Sequence, residues 1–136
     1  MPTLPATINS VTVEFKDSVG KDVTQALIDG LKHCIKKDLA PGHTLSRIYV
    51  SSAKDSHAAP SRHVIGKAVD ISRINGLMMS THYTSNPAVQ AIVKAIQETF
   101  EGYSGRRENF GPHFKKKLGS AWSVSGHADH IHLSVN

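Results

Sequence analysis

Two stretches near opposite ends of the chain decide its fold: SRHVIGKAVD at residues 61–70 and HADHIHLSV at residues 127–135. The second stretch alternates polar and apolar residues from residue 130 onward, which predicts a strand. His130 and His132 share its polar face about 7 Å apart, two strand rises along the chain. Side chains at that spacing can converge on one small site, while the apolar face should pack on a helix.

The first stretch predicts a turn followed by a short strand over residues 68–74. Asp70 lies on the polar face of that strand. Gly66 tolerates conformations that other residues avoid, and it lets the chain turn tightly just before the strand. A loop residue, His63, and a strand residue, Asp70, can therefore face the same point.

Histidine is concentrated near the C-terminal end of the chain. Three of the nine histidines fall between residues 127 and 132, a density that favours a site over scattered surface residues. Imidazole nitrogens and a carboxylate oxygen are the ligands of a zinc site that keeps its fourth position open for water. With the carboxylate of Asp70, the histidine cluster predicts a hydrolytic metal site.

The residues in the two stretches match the motifs of a known family. The pattern S-x-H-x-x-G-x-A-x-D is met by Ser61, His63, Gly66, Ala68 and Asp70. It resembles the zinc motif of the D-alanyl-D-alanine carboxypeptidase and L-alanyl-D-glutamate endopeptidase family, which has the Hedgehog/DD-peptidase fold and includes phage endolysins. The second motif of that family is an acidic residue or a histidine, followed by a metal-binding histidine near the C-terminus. Both versions are present, as Asp129-x-x-His132 and as His130-x-His132.

The resemblance implies the metal ligands and the substrate. His63, Asp70 and His132 would bind Zn²⁺, with water in the fourth position. The substrate would be the stem peptides of peptidoglycan, and the reaction would be hydrolysis of a stem-peptide or cross-link amide bond. The sequence leaves open whether the enzyme is an endopeptidase or a D,D-carboxypeptidase.

The resemblance also implies a general base, but it leaves two candidates. Members with the acidic motif use the residue three before the last ligand, which is Asp129 here. Members with the H-x-H motif place the first histidine beside the metal, which is His130 here. We favour Asp129 as the base, with His130 and His127 stabilising the oxyanion.

Several residues are candidates for contact with the substrate. Many relatives carry an arginine after the strand that precedes the first motif, where it holds a substrate carboxylate. The candidates for this role are Lys54, Arg62 and Arg73. Ser61 is expected to bond locally and orient a ligand. His113 lies in a basic, glycine-rich segment, residues 102–119, that we expect to be an irregular loop. This loop either binds substrate beside the site, with His113 reaching the cleft, or is a surface excursion.

The strands and helices along the rest of the chain, together with the resemblance, imply an α+β fold with a small antiparallel sheet flanked by helices, in a single domain over residues 1–136. The further elements are strands at 11–15 and 45–52, helices at 21–39 and 87–100, and a polar loop at 53–62. Lys36 and Lys37 are expected in the last turn of the first helix, which Pro41-Gly42 ends. Ser85 or Asn86 caps the second helix.

Composition narrows the class of protein. The single cysteine, Cys34, cannot form an internal disulfide and is expected in the core, which fits folding in a reducing cytoplasm. Residues 1–9 show no signal peptide, and no apolar run is long enough to span a membrane. The protein is therefore expected to be made in the cytoplasm and to act at the cell wall or periplasm after release.

The net charge of +5 favours an anionic partner, such as the cell wall. Nucleic acid is not expected, since no aromatic residues interleave with the basic clusters. We expect a zinc-dependent, endolysin-like peptidoglycan peptidase that acts as a monomer. The alternative is a non-catalytic zinc-containing domain of the same fold that binds the wall or a protein.

Overall fold

A computed structural model describes residues 1–55 and 61–136. In this part of the chain nine strands form one sheet, accompanied by three α-helices and a short 3-10 helix at Arg62–Ile65. The strands are β1 (Thr7–Ile8), β2 (Val11–Phe15), β3 (Arg47–Ser52), β4 (Ala68–Ile74), β5 (Leu77–Met78), β6 (Arg106–Phe110), β7 (Lys115–Lys117), β8 (Ser120–Ala121) and β9 (Ile131–Val135). The helices are α1 (Gln25–Cys34), α2 (Met79–His82) and α3 (Pro87–Phe100).

The sheet runs in the order β1-β2-β3-β4-β9-β6-β7-β8, and β5 pairs with β4 outside this path. The predicted α+β class is confirmed. The prediction of a small antiparallel sheet is wrong, because the sheet is larger and mixed: β2 and β3 are parallel. Strands β4 and β9, which carry the two sequence motifs, lie side by side near its centre.

The core lies between the sheet and the two long helices. Helices α1 and α3 contact each other and the central strands, so they cover the same face of the sheet. Ile131, Leu133 and Val135 of β9 point into this core and are fully buried. The alternation predicted for the C-terminal strand is confirmed, and it leaves His132 on the opposite face.

Helix α3 has the predicted bounds and cap. The side chain of Asn86 accepts hydrogen bonds from the backbone N–H groups of Ala88 at 3.0 Å and Val89 at 3.1 Å. Pro87 occupies the first turn, where its missing N–H costs nothing. No described helix is long and apolar enough to cross a bilayer.

Helix α1 is shorter than the sequence predicted. It ends at Cys34, and Ile35 is already extended. The side-chain amide of Asn9 donates to the backbone oxygens of Lys32 at 2.8 Å and Ile35 at 3.0 Å, so a distant residue satisfies the end of the helix. Lys36 and Lys37 therefore lie beyond its last turn, and Pro41-Gly42 does not end it.

The segment predicted as an irregular loop, residues 102–119, contains β6 and β7. Its periodicity was hidden because the helix-facing side of β6 is polar. Asn109 is buried there, exchanges hydrogen bonds with Gln97 of α3 and donates to a carboxylate oxygen of Glu101. A buried amide with partners packs as well as an apolar residue, but it does not produce an alternating hydrophobic pattern.

The remaining predictions differ in outcome. The strand expected at 45–52 begins at Arg47. Within the loop expected at 53–62, residues 56–60 lie outside the described residues, and Arg62 begins the 3-10 helix.

Cys34 is buried as expected, and burial raises the pKa of its thiol to about 12, so it is protonated at neutral pH.

Candidate metal centre

The two motifs meet where β4 and β9 pair. Asp70 of β4 stands directly opposite His132 of β9 in the antiparallel ladder. The 3-10 helix brings His63 beside them. One ligand atom from each of these three residues lies within 4.8 Å of the other two. The motif residues are therefore gathered at one point on the face of the sheet that the helices leave open.

The ring of His63 is fixed by its own loop. The hydroxyl of Ser61 accepts a hydrogen bond from the backbone N–H of His63 at 3.3 Å and starts the 3-10 helix. Gly66 ends this helix in the left-handed conformation, with a φ of 70°. Nδ1 of His63 lies 2.7 Å from the backbone oxygen of Ala53, which only accepts, so Nδ1 carries the proton. Nε2 then faces Asp70, 3.3 Å from Oδ1.

The ring of His132 is held between two carboxylates. Its Nδ1 lies 3.0 Å from Oδ1 of Asp70, and its Nε2 donates to Oε1 of Glu108 at 3.0 Å. The hydroxyl of Ser134 donates to the same oxygen of Glu108 at 2.8 Å. Sequence reasoning missed Glu108, since its role becomes visible only once β6 is known to pair with β9.

The charges in this cluster stabilise one another. Burial alone would raise the pKa of Asp70, but hydrogen bonds from His132 and His63 hold it well below its usual range. Burial would likewise raise the pKa of Glu108, whereas hydrogen bonds from His132 and Ser134 lower it to about 2. Burial would lower the pKa of His132, but its bonds to the two carboxylates raise it to about 9.

The donor set suits a metal ion. In both His63 and His132, one ring nitrogen donates to an oxygen and the other faces the carboxylate of Asp70. Such a partner for the second nitrogen is the usual way in which a protein fixes the tautomer of a ligating histidine. His63, Asp70 and His132 could therefore hold a metal ion through Nε2, a carboxylate oxygen and Nδ1, respectively.

His130 and Asp129 form a pair at the rim of this cluster. Nδ1 of His130 lies 2.7 Å from Oδ1 of Asp129, and Nε2 of the same ring lies 4.0 Å from Oδ1 of Asp70. The side chain of Asp129 is 66% exposed, compared with 25% for His130. His130 is therefore the member of the pair nearer to the ligands, and its hydrogen bond lowers the pKa of Asp129.

His127 completes the cluster from the loop before β9. Its backbone is left-handed, with a φ of 70°. The ring centre lies 4.9 Å from that of His130 and 5.8 Å from that of His132, with Phe110 at 5.2 Å. Burial, followed by the charges of His130 and His132, lowers the pKa of His127 and favours its neutral form.

The predicted substrate contacts are scattered. The guanidinium of Arg62 donates to the backbone oxygen of Val135 at 2.9 Å, and that of Arg73 lies 4.2 Å from the ring centre of Tyr49. His113 does not reach the cluster, because its Nε2 lies 2.8 Å from a carboxylate oxygen of Glu98 on α3. The backbone N–H of Lys54 donates to Gly20, and its side chain is exposed.

The structure thus brings six of the predicted residues together: His63, Asp70, His127, Asp129, His130 and His132. Comparison of the chain with protein-family models, with curated proteins and with solved structures found no match. What the cluster does is therefore inferred from its chemistry and from the two sequence motifs.

Proposed function

We propose that the protein is a zinc-dependent peptidoglycan peptidase with a Hedgehog/DD-peptidase-like fold and an endolysin-like role. The observation that carries the proposal is the convergence of His63, Asp70 and His132, whose ligand atoms lie within 4.8 Å of one another. Two imidazoles and one carboxylate form a ligand set typical of catalytic zinc, which leaves a position for substrate or water. The order and spacing of the motif residues resemble those of zinc peptidases acting on the bacterial wall.

The ligand residues define how zinc would be held. His63 would bind through Nε2 and His132 through Nδ1, since the other nitrogen of each ring already donates to an oxygen. When bound by these residues, zinc would supply a Lewis acid that polarises the scissile carbonyl and lowers the pKa of water. Glu108 keeps the ring of His132 oriented and adds negative charge that favours a cation.

We assign the general base to His130 rather than to Asp129, the residue favoured from the sequence. Asp129 accepts a hydrogen bond from Nδ1 of His130, so Nε2 of His130 is left as the acceptor and faces the ligands. Asp129 points away towards solvent. His130 takes a proton from the attacking water and delivers it to the leaving amine, while Asp129 orients the ring.

His127 is the third group of the proposed mechanism. Its lowered pKa keeps the ring neutral at physiological pH, so one of its nitrogens remains an N–H donor. Its ring contacts both Phe110 and His130 at the edge of the cluster. We assign His127 the role of donating a hydrogen bond to the oxyanion, which stabilises the charge that develops on the carbonyl oxygen.

The charge of the protein fits this substrate. A net charge of +5 favours contact with an anionic polymer such as the bacterial wall. The proposal includes action at the wall or in the periplasm after release from the cytoplasm.

The test is digestion of purified peptidoglycans of several wall chemistries, followed by mass spectrometry of the fragments. The protein is used zinc-loaded, stripped by a chelator, and stripped with zinc restored. We expect new amino termini that disappear with the chelator and return with zinc, and their identity names the bond. Undegraded peptidoglycan from a zinc-loaded protein across all wall types would overturn the proposal and favour a zinc-containing binding domain.

A further inference from the structure

The metal centre belongs to a row of residues that crosses the open face of the sheet. Asp70 pairs with His132, His132 with Phe110, and Phe110 with Lys115. The backbone N–H of Trp122 then donates to the oxygen of Lys115, which extends the row past β8. Residues directly opposite each other in antiparallel strands point to the same face. The row therefore runs from the candidate ligands to the outer edge of the sheet.

Side-chain contacts support this shared face. The rings of Phe110 and His132 stack, with their centres 5.5 Å apart and their planes 16° apart. The ammonium of Lys117 lies 4.5 Å from the centre of the Trp122 ring. Lys117 stands directly opposite Glu108 in the antiparallel ladder, and the carboxylate of Glu108 contacts His132. Trp122 and Lys117 are thus on the side of the sheet that carries the metal centre.

The end of this row is an exposed aromatic and cationic surface. Trp122 is 49% exposed although it is large and apolar, and Leu118, four residues earlier in the chain, is exposed as well. Lys117 covers part of the indole and leaves the rest of the ring open to solvent. A cation beside an open aromatic ring suits a ligand that combines a flat, weakly polar surface with negative charge.

We propose that Trp122 and Lys117 form a subsite for the sugar-bearing end of an acidic glycopeptide whose peptide bond lies at the metal centre. This inference rests on the proposed function and extends it to the glycan. Lys115 adds a second positive charge to the row, which favours the carboxylates of such a substrate. The indole supplies the surface against which a sugar ring stacks.

The dimensions of the sheet fit this occupant. Three strand spacings of about 4.8 Å place Trp122 about 14 Å from His132. An extended peptide covers that distance in about four residues. A stem peptide bound across the strands would therefore join its scissile bond at the metal centre to its sugar at Trp122.

The test compares two soluble ligands, a disaccharide-tetrapeptide and the same tetrapeptide without the sugars. The full chain is used with zinc present and with His130→Ala to prevent turnover. Calorimetry gives both dissociation constants, and the fluorescence of Trp122, the only tryptophan, reports on the subsite directly. We expect the sugar-bearing ligand to bind about tenfold tighter, a difference of about 1.4 kcal/mol, and to change the fluorescence.

The variants Lys117→Gln and Trp122→Ala should abolish this preference for sugar. Lys116→Gln is the matched control, because Lys116 pairs with Asn109, whose side chain points towards α3, and therefore lies on the opposite face. It removes the same charge from the same strand and should keep the preference. Trp122→Phe should restore part of it.

Equal affinity for the two ligands, or an unchanged preference in Lys117→Gln, would overturn the subsite. The subsite would also be overturned if the protein bound duplex DNA with the same dependence on Lys117 and showed no preference for the sugar-bearing peptide. The result is independent of hydrolysis, since no turnover is required. A preserved sugar preference without any wall digestion would support the subsite while the proposed peptidase function fails.

Discussion

Oε1 of Glu108 accepts a hydrogen bond from Nε2 of His132 at 3.0 Å, on the open face of neighbouring strands. The same imidazole presents its other nitrogen to Asp70 at 3.0 Å. Glu108 therefore determines which nitrogen of His132 is available to a metal ion. Ser134 holds the carboxylate in place at 2.8 Å. The whole arrangement is therefore built from three adjacent strands, β4, β9 and β6.

Glu108→Gln should weaken zinc binding by about 10- to 100-fold, because removal of an outer carboxylate loosens and weakens a ligating histidine. Competition with a chromophoric chelator measures the affinity. Glu98→Gln is the matched control, since Glu98 also contacts a histidine, His113, at 2.8 Å but lies on α3 away from the cluster. Equal affinities for the two variants would show that Glu108 does not act through His132.

Asp70→Asn should lose zinc and activity together. The amide has the size of the carboxylate but lacks its negative charge, and both histidine ligands face this one side chain. We expect zinc affinity to fall by about 100-fold or more, measured by metal analysis after dialysis. A variant that keeps stoichiometric zinc and its activity would remove Asp70 from the ligand set.

Two variants that should both retain zinc test which residue is the general base. His130→Ala should lower kcat by about 100- to 10,000-fold, as expected when a positioned base is removed. Asp129→Asn should have the smaller effect, because it removes only the group that orients the base. Steady-state kinetics on a wall-derived peptide measures both. The reverse order of effects would return the role of base to Asp129.

The stability of the metal-free protein should depend on pH through the same cluster. The pKa of His132 is raised to about 9, so its contribution is complete below its unfolded value of about 6.5 and is lost as the pH rises through about 9. The pKa values of Asp70 and Glu108 are lowered in the folded protein. The two carboxylates therefore contribute to stability above about pH 4.3, and their contribution is lost as the pH falls into the acid range. Stability should therefore be greatest between about pH 5 and pH 7.

Zinc should change the pH dependence of stability, because it must displace the proton from Nδ1 of His132. Apparent affinity should rise about tenfold per pH unit up to about pH 9, as expected for the release of one proton. Melting temperatures of zinc-loaded and chelated protein from pH 6 to pH 9 measure the effect as a growing difference. A difference that stays constant with pH would mean that zinc does not bind at His132.

The faces on which His132 and Asp70 lie could be predicted from the sequence, because each residue belongs to a local pattern. The alternation of β9 places His132 on one face, and Asp70 follows from the same rule in β4. Glu108 could not be predicted in this way. Its role depends on a pairing between strands distant in sequence, and β6 itself was obscured by the polar, fully bonded Asn109.

The end of α1 shows the same limitation. The apolar pattern of the sequence continues past Cys34, but the helix stops there because Asn9, more than twenty residues away, binds its last carbonyls. The choice between Asp129 and His130 was open for a related reason. Adjacent residues compete for one role, and the assignment of that role to His130 depends on where each side chain lies in the folded chain: Nε2 of His130 faces Asp70, whereas Asp129 is exposed.

Gly66→Ala tests how far the motif glycine is required by the backbone. Gly66 has a φ of 70°, and an added Cβ would lie 2.9 Å from the backbone oxygen of Asp22, which cannot move as a flexible side chain would. Gly42→Ala is the control, because Gly42 has a φ of 79° with no atom within 4 Å of the added Cβ. The control should lose about 1–2 kcal/mol for its left-handed backbone. Gly66→Ala should lose more free energy of unfolding, measured with denaturant. It should also weaken zinc binding, since it displaces the turn that holds His63. Equal losses of stability in the two variants, with unchanged zinc affinity, would contradict this role of Gly66.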